Sequence, residues 1–230
     1  MSQLPLALGG LDAPDFEHFW PGADALVLAR LRALALAPGA AQVLLLGGEA
    51  SGKTHLLLAT CEAARAAGLD AACLPLDQLE GADLAEAIDA ELVAVDAVDV
   101  ALHDRARAEW LFAQINRQHD RGHALLLAMR RLPEAGEAVL PDLVSRLARS
   151  EKLALAPHDD AARRAILLHR AEQAGIPLDP AAADHLLRYE SRDLRALLAR
   201  LKQLDREALA RGRRITVPLL RELNESGRNN

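Results

Sequence analysis

A chain of 230 residues with 51% apolar and 26% charged residues has an ordinary soluble composition, with room for one sizeable core or a main domain and a smaller one. Aromatic residues make up only 3% while Leu and Ala dominate, which favours helices and disfavours an all-β fold. A formal net charge of −6 gives no global footing for a broad nucleic-acid-binding face, although a local basic patch stays open. Cys61 and Cys73 stand in no C-x-x-C pair and read as two reduced, buried thiols. No basic n-region with an apolar core opens the chain, and the apolar stretch 33–46 is broken by Pro38-Gly39. These features point to a soluble, cytoplasmic protein without a membrane partner.

Gln3-Leu4-Pro5-Leu6-Ala7-Leu8 comes first. In an extended conformation Leu4, Leu6 and Leu8 share one side, and Pro5 disfavours a helix. Two readings stand level: a peptide that docks into a groove on another protein, or a terminal strand on the chain's own core. Phe16-Glu17-His18-Phe19-Trp20-Pro21-Gly22 concentrates the scarce aromatics, either as packing beneath the domain or as the wall of a base pocket. Residues 23–36 read as an Ala/Leu helix stopped by Pro38-Gly39.

Gln42 to Leu46 is a short apolar run, a buried strand by its pattern, and it leads into Gly47-Gly48-Glu49-Ala50-Ser51-Gly52-Lys53-Thr54. This fits G-x-x-x-x-G-K-[ST] at every fixed position, and the helix expected from His55 to Ala64 completes the strand–loop–helix context of a phosphate loop. Loop N–H groups and the helix dipole then converge on one point suited to phosphates, with Lys53 reaching the β/γ-phosphates and Thr54 holding Mg²⁺. Gly47, Gly48, Ser51, Gly52, Lys53, Thr54 and His55 form the expected ATP or ADP site.

A second strand is expected over 71–74, a short helix over 82–88, and a third strand over 91–96 ending in Asp96. An acid at the end of a strand beside the phosphate-loop strand is the Walker-B arrangement, suited to the nucleotide's Mg²⁺. Ala97 follows where hydrolytic relatives usually carry a second acid, and Asp99 reads as a helix-start residue. Residues 104–121 read as an amphipathic helix closed by Gly122, and 124–128 as a fourth strand. Ala128-Met129 offers no polar group near a γ-phosphate. A helix over 141–149 and a strand over 151–156 complete a five-stranded parallel α/β sheet. Beyond Pro157 come helices over 159–174, 180–189 and 192–209 and a short one from Thr216, a small bundle without strands. The expected division is 1–10 as an extended peptide, 11–157 as the α/β domain and 158–230 as the helical domain. None of the eight His falls into a H-E-x-x-H or comparable pair, so no metal beyond Mg²⁺ is expected.

A phosphate-loop α/β domain followed by a helical lid resembles AAA+ proteins. Four further segments are similar to the Hda family of DnaA-related AAA+ regulators. The Phe16 to Gly22 segment resembles the F-x-x-F-x-x-G stretch that opens the family's AAA+ domain, and Leu143-Val144-Ser145-Arg146-Leu147 its S-R-[FL] arginine-finger segment. Arg192-Asp193-Leu194-Arg195-Ala196-Leu197 looks like its sensor II helix, and Gln3 to Leu8 like its clamp-binding peptide. DnaA continues into a helix-turn-helix domain after its lid, and the short remainder of this chain is expected to hold none, so no direct sequence-specific DNA binding is expected. The resemblance implies a negative regulator of replication initiation with ADP bound. It would dock on the DNA polymerase III sliding clamp (beta subunit) through Gln3, Leu4, Leu6 and Leu8, and promote hydrolysis of DnaA-bound ATP through Arg146 in trans. Asp96 and Arg195 would contact its own Mg²⁺ and phosphates, and AAA+ or N-terminal contacts would serve any self-association. Without the resemblance, Arg146 reads as a cap or internal salt-bridge partner and Arg195 as part of a solvated face. The alternative is an autonomous P-loop ATPase of the helicase-loader type.

Overall fold

The structure, a computed structural model, describes residues 14–85, 87–134 and 136–228. Gln3, Leu4, Leu6 and Leu8 therefore lie outside the described residues. Two compact units are present, Pro14–Phe16 with Pro21–Pro157, and Glu17–Trp20 with the chain from His158 onward.

The first unit is built on β1 (Gln42–Leu46), β2 (Ala71–Pro75), β3 (Leu92–Asp96), β4 (Ala124–Met129) and β5 (Glu151–Ala154). All pairings are parallel, in the order β2-β3-β4-β1-β5. Parallel strands need crossovers that cover both faces with helices, so the central strands are apolar except for Gln42 and Asp96 at their ends. Every residue of β4 is buried accordingly. The helices are α1 (Ala25–Leu36), α2 (Lys53–Ala66), α3 (Arg105–Arg121) and α4 (Pro141–Arg149). Leu44, Val93, Val95, Leu125, Leu127 and Met129 form one core with Trp110, Leu111 and Ile115 of α3 and Leu143 and Leu147 of α4. The even-numbered residues of β3 and β4 belong to the opposite face by the alternation of a strand.

Local chemistry sets the boundaries. Asp104 caps α3 by accepting from the Arg107 N–H at 2.9 Å, and Gly122 ends it at a φ of +67°. The Arg107 hydrogen bonds hold the Asp104 carboxyl below its ordinary range. Pro141 opens α4, where its missing N–H costs nothing. The helix expected over 82–88 is a correction: among the described residues a 3-10 helix, Gly81–Leu84, stands there instead. The side-chain amide of Gln114, buried on α3, takes both backbone groups of Ile88, accepting its N–H at 2.7 Å and donating to its carbonyl at 2.9 Å. Those groups are thereby removed from any helical ladder. The fifth strand stops at Ala154, short of the expected 156, although Leu155 N–H still reaches the Leu46 carbonyl and Ala156 N–H goes to buried Asp24.

The second unit holds α5 (Asp160–Gln173), α6 (Pro180–Tyr189), α7 (Leu194–Ala210) and α8 (Val217–Arg228). Asp159, Asp179 and Asp193 cap the first three through their carboxylates. Leu167, Leu186, Leu197, Leu201, Leu204, Leu219 and Leu220 make its core. A single parallel bridge, Leu178 to Ile215, ties the two connections. The Glu17 and His18 carbonyls are bound by His169 and Arg170 of α5, and Phe19 is buried. None of the described helices is long and apolar enough to cross a membrane.

Candidate functional site

At the carboxyl end of β1 the chain turns into α2 through a loop that only particular residues can make. Gly52 stands at a φ of +93°, a left-handed conformation that glycine adopts without cost. A Cβ on Gly47 would lie 2.6 Å from Ser51 Oγ and 3.2 Å from the Leu155 Cβ, so the turn closes only over glycine. Gly47 N–H donates to the Met129 carbonyl at 3.3 Å, which docks the loop on the end of β4. Ser51 is buried, and Ala50 also takes a positive φ, +56°.

Unlike the aspartate-capped helices of the second unit, α2 begins on Gly52 with no side-chain cap. Its first N–H groups and the positive end of its dipole remain available to an anion. Lys53 folds back over the loop, its Nζ donating to the Gly47 carbonyl at 2.7 Å, the Gly48 carbonyl at 2.6 Å and Ser51 Oγ at 3.3 Å. Thr54 Oγ1 donates to Asp96 Oδ2 at 2.5 Å. The hydroxyl from α2 and the carboxylate from β3 thus face the same small volume, an oxygen pair suited to a hard cation such as Mg²⁺. Phosphates fit the open helix end, and a divalent cation fits the Thr54–Asp96 pair. Among the described residues no group of three or more His, Cys, Asp or Glu is placed to hold a metal by itself.

His55 Nε2 lies 2.7 Å from the Asp15 carbonyl, so the chain before α1 is fastened beside the start of α2. Phe16 is buried there under Arg32, whose guanidinium stands 5.6 Å from its ring. Cys61 is buried on α2, and Cys73 of β2 is half-buried rather than buried as expected; both are free thiols. A hydrogen bond between the two thiols, with burial, pushes the Cys61 thiol far up.

Around the carboxyl end of the sheet the structure adds groups that motif reading does not supply. Ala97 is left-handed, at φ +55° and ψ +38°, and its N–H donates to Asp96 Oδ1 at 2.8 Å. The 3-10 helix Val98–Leu102 follows, with Asp99 in its first turn. The Asp99 carboxylate accepts the Arg130 N–H with both oxygens at 3.1 Å, so it fixes the end of β4 as well as a helix start. Ala128 and Met129 are fully buried and present nothing polar. The first polar side chain after β4 is Arg130; the tandem Arg130-Arg131 was the available signal in the sequence.

The other expected site residues lie apart from this loop along the chain. Arg146 stands on the last turn of α4, half-buried, with its guanidinium 5.5 Å from the Phe112 ring. Its carbonyl accepts from Gln42 Nε2 at 3.0 Å. Among the described residues it has no carboxylate partner, so the internal salt bridge does not form. Arg195 is exposed in the first turn of α7, and its N–H donates to Asp193 Oδ1 at 2.7 Å. Arg192 pairs with Asp160 at 3.7 Å.

Residues 160–223 match the family described as Hda, lid domain. The fold is similar to domain III of the replication initiation protein DnaA from Thermotoga maritima, with TM-score 0.75 and 19% identity over 94% of this chain and 95% of that one. It is also similar to DnaA from Aquifex aeolicus bound to AMPPCP, with TM-score 0.68 and 20% identity, covering 83% of this chain and 64% of that one. This chain thus spans about two thirds of that DnaA. A weaker likeness, TM-score 0.50 and 13% identity, is to the DnaC helicase loader, over 62% of this chain and 97% of that one. Identities this low establish the fold alone, and the lid match concerns residues 160–223. The chain thus has a DnaA-like AAA+ fold over nearly its whole length, with residues 160–223 matching the Hda lid domain.

Proposed function

We propose that this protein is a nucleotide-bound regulator of replication initiation, which docks on the DNA sliding clamp and stimulates hydrolysis of ATP held by DnaA. The observation that carries the reading is the Hda-type lid joined to an α/β unit whose phosphate loop is complete. Lys53, Thr54 and Asp96 supply the cation, hydroxyl and carboxylate that a Mg²⁺–nucleotide needs, while Ala97, Ala128 and Met129 leave the place of hydrolytic groups apolar. Such a site retains nucleotide more readily than it turns it over. AMPPCP on the Aquifex DnaA supports an adenine nucleotide as ligand. ADP or ATP with Mg²⁺ is the proposed cofactor, and Arg195 would add a phosphate contact from the lid.

Hydrolysis then takes place on the partner. Arg146, half-buried on the last turn of α4 and without a carboxylate partner among the described residues, is the group proposed to face the nucleotide on DnaA. A guanidinium supplied in trans stabilises charge on the transferring phosphoryl group without any chemistry at the regulator's own site. Gln3, Leu4, Leu6 and Leu8 would bring it to the clamp. The test is reconstitution of DnaA-bound ATP hydrolysis with DNA-loaded clamp and this protein. Stimulation that needs all three components supports the reading; none under those conditions removes it. The likeness to DnaC favours a second reading, an autonomous helicase-loader ATPase. Turnover by the isolated protein would favour that reading, and Ala97 argues against it.

A further inference from the structure

We propose that Cys61 and Cys73 form a hydroperoxide-reactive dithiol, in which Cys73 is oxidised first and Cys61 then closes on it as a disulfide between α2 and β2. Neither belongs to the nucleotide site proposed above, so the pair is testable without it. The chain of 230 residues has two cysteines, twelve positions apart and on different elements. The fold brings them together. Ala72 and Leu74 of β2 pack against the core that contains Trp110 and Leu143, so by the alternation of a strand Cys73 belongs to the opposite face. The third turn of α2 lies along that strand: Arg65 Nε donates to the Ala71 carbonyl at 2.9 Å, and Cys61 Sγ stands 3.5 Å from the Ala72 carbonyl oxygen. There the two free thiols are in hydrogen-bond contact.

Their surroundings assign the roles. Cys61 is fully buried and Cys73 half-buried, so a small oxidant reaches Cys73 first. Cys73 accepts the Cys61 S–H, which holds its thiol below the ordinary range, and the Arg65 guanidinium acts the same way against burial and the Asp96 carboxylate. The thiolate is the form that attacks a peroxide. The Cys73 sulfur takes one peroxide oxygen: S–O forms, O–O breaks, and the leaving oxygen gains a proton to depart as water or alcohol. The Cys61 sulfur then attacks the sulfenic acid on Cys73: S–S forms, S–O breaks, and hydroxide leaves as water with the Cys61 proton. The two thiols lose two electrons and the hydroperoxide gains them. Burial keeps Cys61 out of the first step, and contact with Cys73 equips it for the second. The closed bond would fasten the helix that opens with Lys53 and Thr54 to an edge strand of the sheet.

The test treats the reduced full chain with hydrogen peroxide near stoichiometry and follows it by intact mass and non-reducing peptide mapping. The expected product is a single chain lighter by two hydrogens, with Cys61 and Cys73 in one disulfide that dithiothreitol reopens. In Cys61→Ala a sulfenic acid should persist at Cys73 and be captured by dimedone, while Cys73→Ala should show about tenfold less capture at Cys61. Closure should be slower in urea, where the fold no longer holds the pair together. Mapping of the wild-type chain decides the pairing even where a variant fails to fold. Thiols left intact, a disulfide joining two chains, or Cys73 carried to sulfinic acid with Cys61 still free would overturn the proposal. Preferential capture at Cys61, or closure as fast in urea as in the folded chain, would overturn it equally.

Discussion

Lys53→Ala is the sharpest test of the phosphate loop, because the contacts of this lysine show what it would exchange for phosphate. Its ammonium group donates to two loop carbonyls, at 2.7 and 2.6 Å, and must exchange them for phosphate oxygens. The net gain is therefore about one charge-assisted contact, roughly 1.5–3 kcal/mol, or about 10- to 150-fold in affinity. Linkage converts this to stability. At ADP near 1,000 times the wild-type dissociation constant, ligand adds about 4.1 kcal/mol, which moves Tm by roughly 8–16 °C for a chain of this size. A hundredfold weaker site at the same concentration retains about 1.4 kcal/mol, or roughly 3–6 °C. Differential scanning fluorimetry with and without ADP and Mg²⁺ reads both numbers. Equal shifts in wild type and Lys53→Ala, with equal melting of the free proteins, would mean that Lys53 does not touch the ligand.

Arg146→Ala should lower stimulated hydrolysis of DnaA-bound ATP by about 10³–10⁵, the worth of an arginine finger, while leaving the protein's own ADP affinity intact. Loss of both together would make it a structural residue, as would no loss of either. The double substitution Gln3→Ala with Leu4→Ala should abolish capture of the protein by immobilised sliding clamp; undiminished capture would remove the docking role of that peptide. Gln114→Leu should destabilise the first unit by about 2–4 kcal/mol in urea unfolding, since it strands both backbone groups of Ile88. A change below about 0.5 kcal/mol would show that water satisfies those groups equally well. Below about pH 3.8 Asp104 should lose its share of stability: its folded pKa is depressed, so that share is present above the unfolded value and lost as pH falls through the folded one. Asp104→Asn should flatten the acid limb of the melting curve.

The strands and the phosphate loop were legible because each is a local pattern: a short apolar run, a fixed spacing, then a helical period. Helix ends were legible to within a residue or two: 180–189 is matched, 104–121 begins one residue late at Arg105, and the helix expected from 192 starts only after its Asp193 cap, at Leu194. The segment 82–88 misled because Leu84, Ala85 and Ile88 have helical spacing, while the partner that unmakes the helix, Gln114, lies 26 residues away. The order of the strands was misjudged: the Asp96 strand was expected beside the phosphate-loop strand, but β4 enters the sheet between β1 and β3, and no local signal says so. For the same reason the meeting of Asp99 with Arg130, 31 residues apart, was invisible. Ala128-Met129 was correctly identified as apolar, and both side chains are buried.

The turn after β3 explains why a complete phosphate loop need not make an ATPase. Ala97 occupies a left-handed conformation that costs a residue with a Cβ roughly 1–2 kcal/mol, and it is held there by the bond from its N–H to Asp96 Oδ1. The bend turns the chain into the 3-10 helix that delivers Asp99 to the end of β4. The carboxylate that ends β3 and the one three residues on are thereby committed. Asp96 bonds Thr54 and Ala97, and Asp99 spends both oxygens on a backbone N–H. At Ala97 itself a methyl group stands where a carboxylate could polarise water. An arrangement of this kind can hold Mg²⁺ and phosphate through Thr54 and Asp96 and yet lack a base positioned for the attacking water. On the proposed reading, occupancy of the loop, more than turnover in it, is the variable to follow, and binding assays are the ones that discriminate.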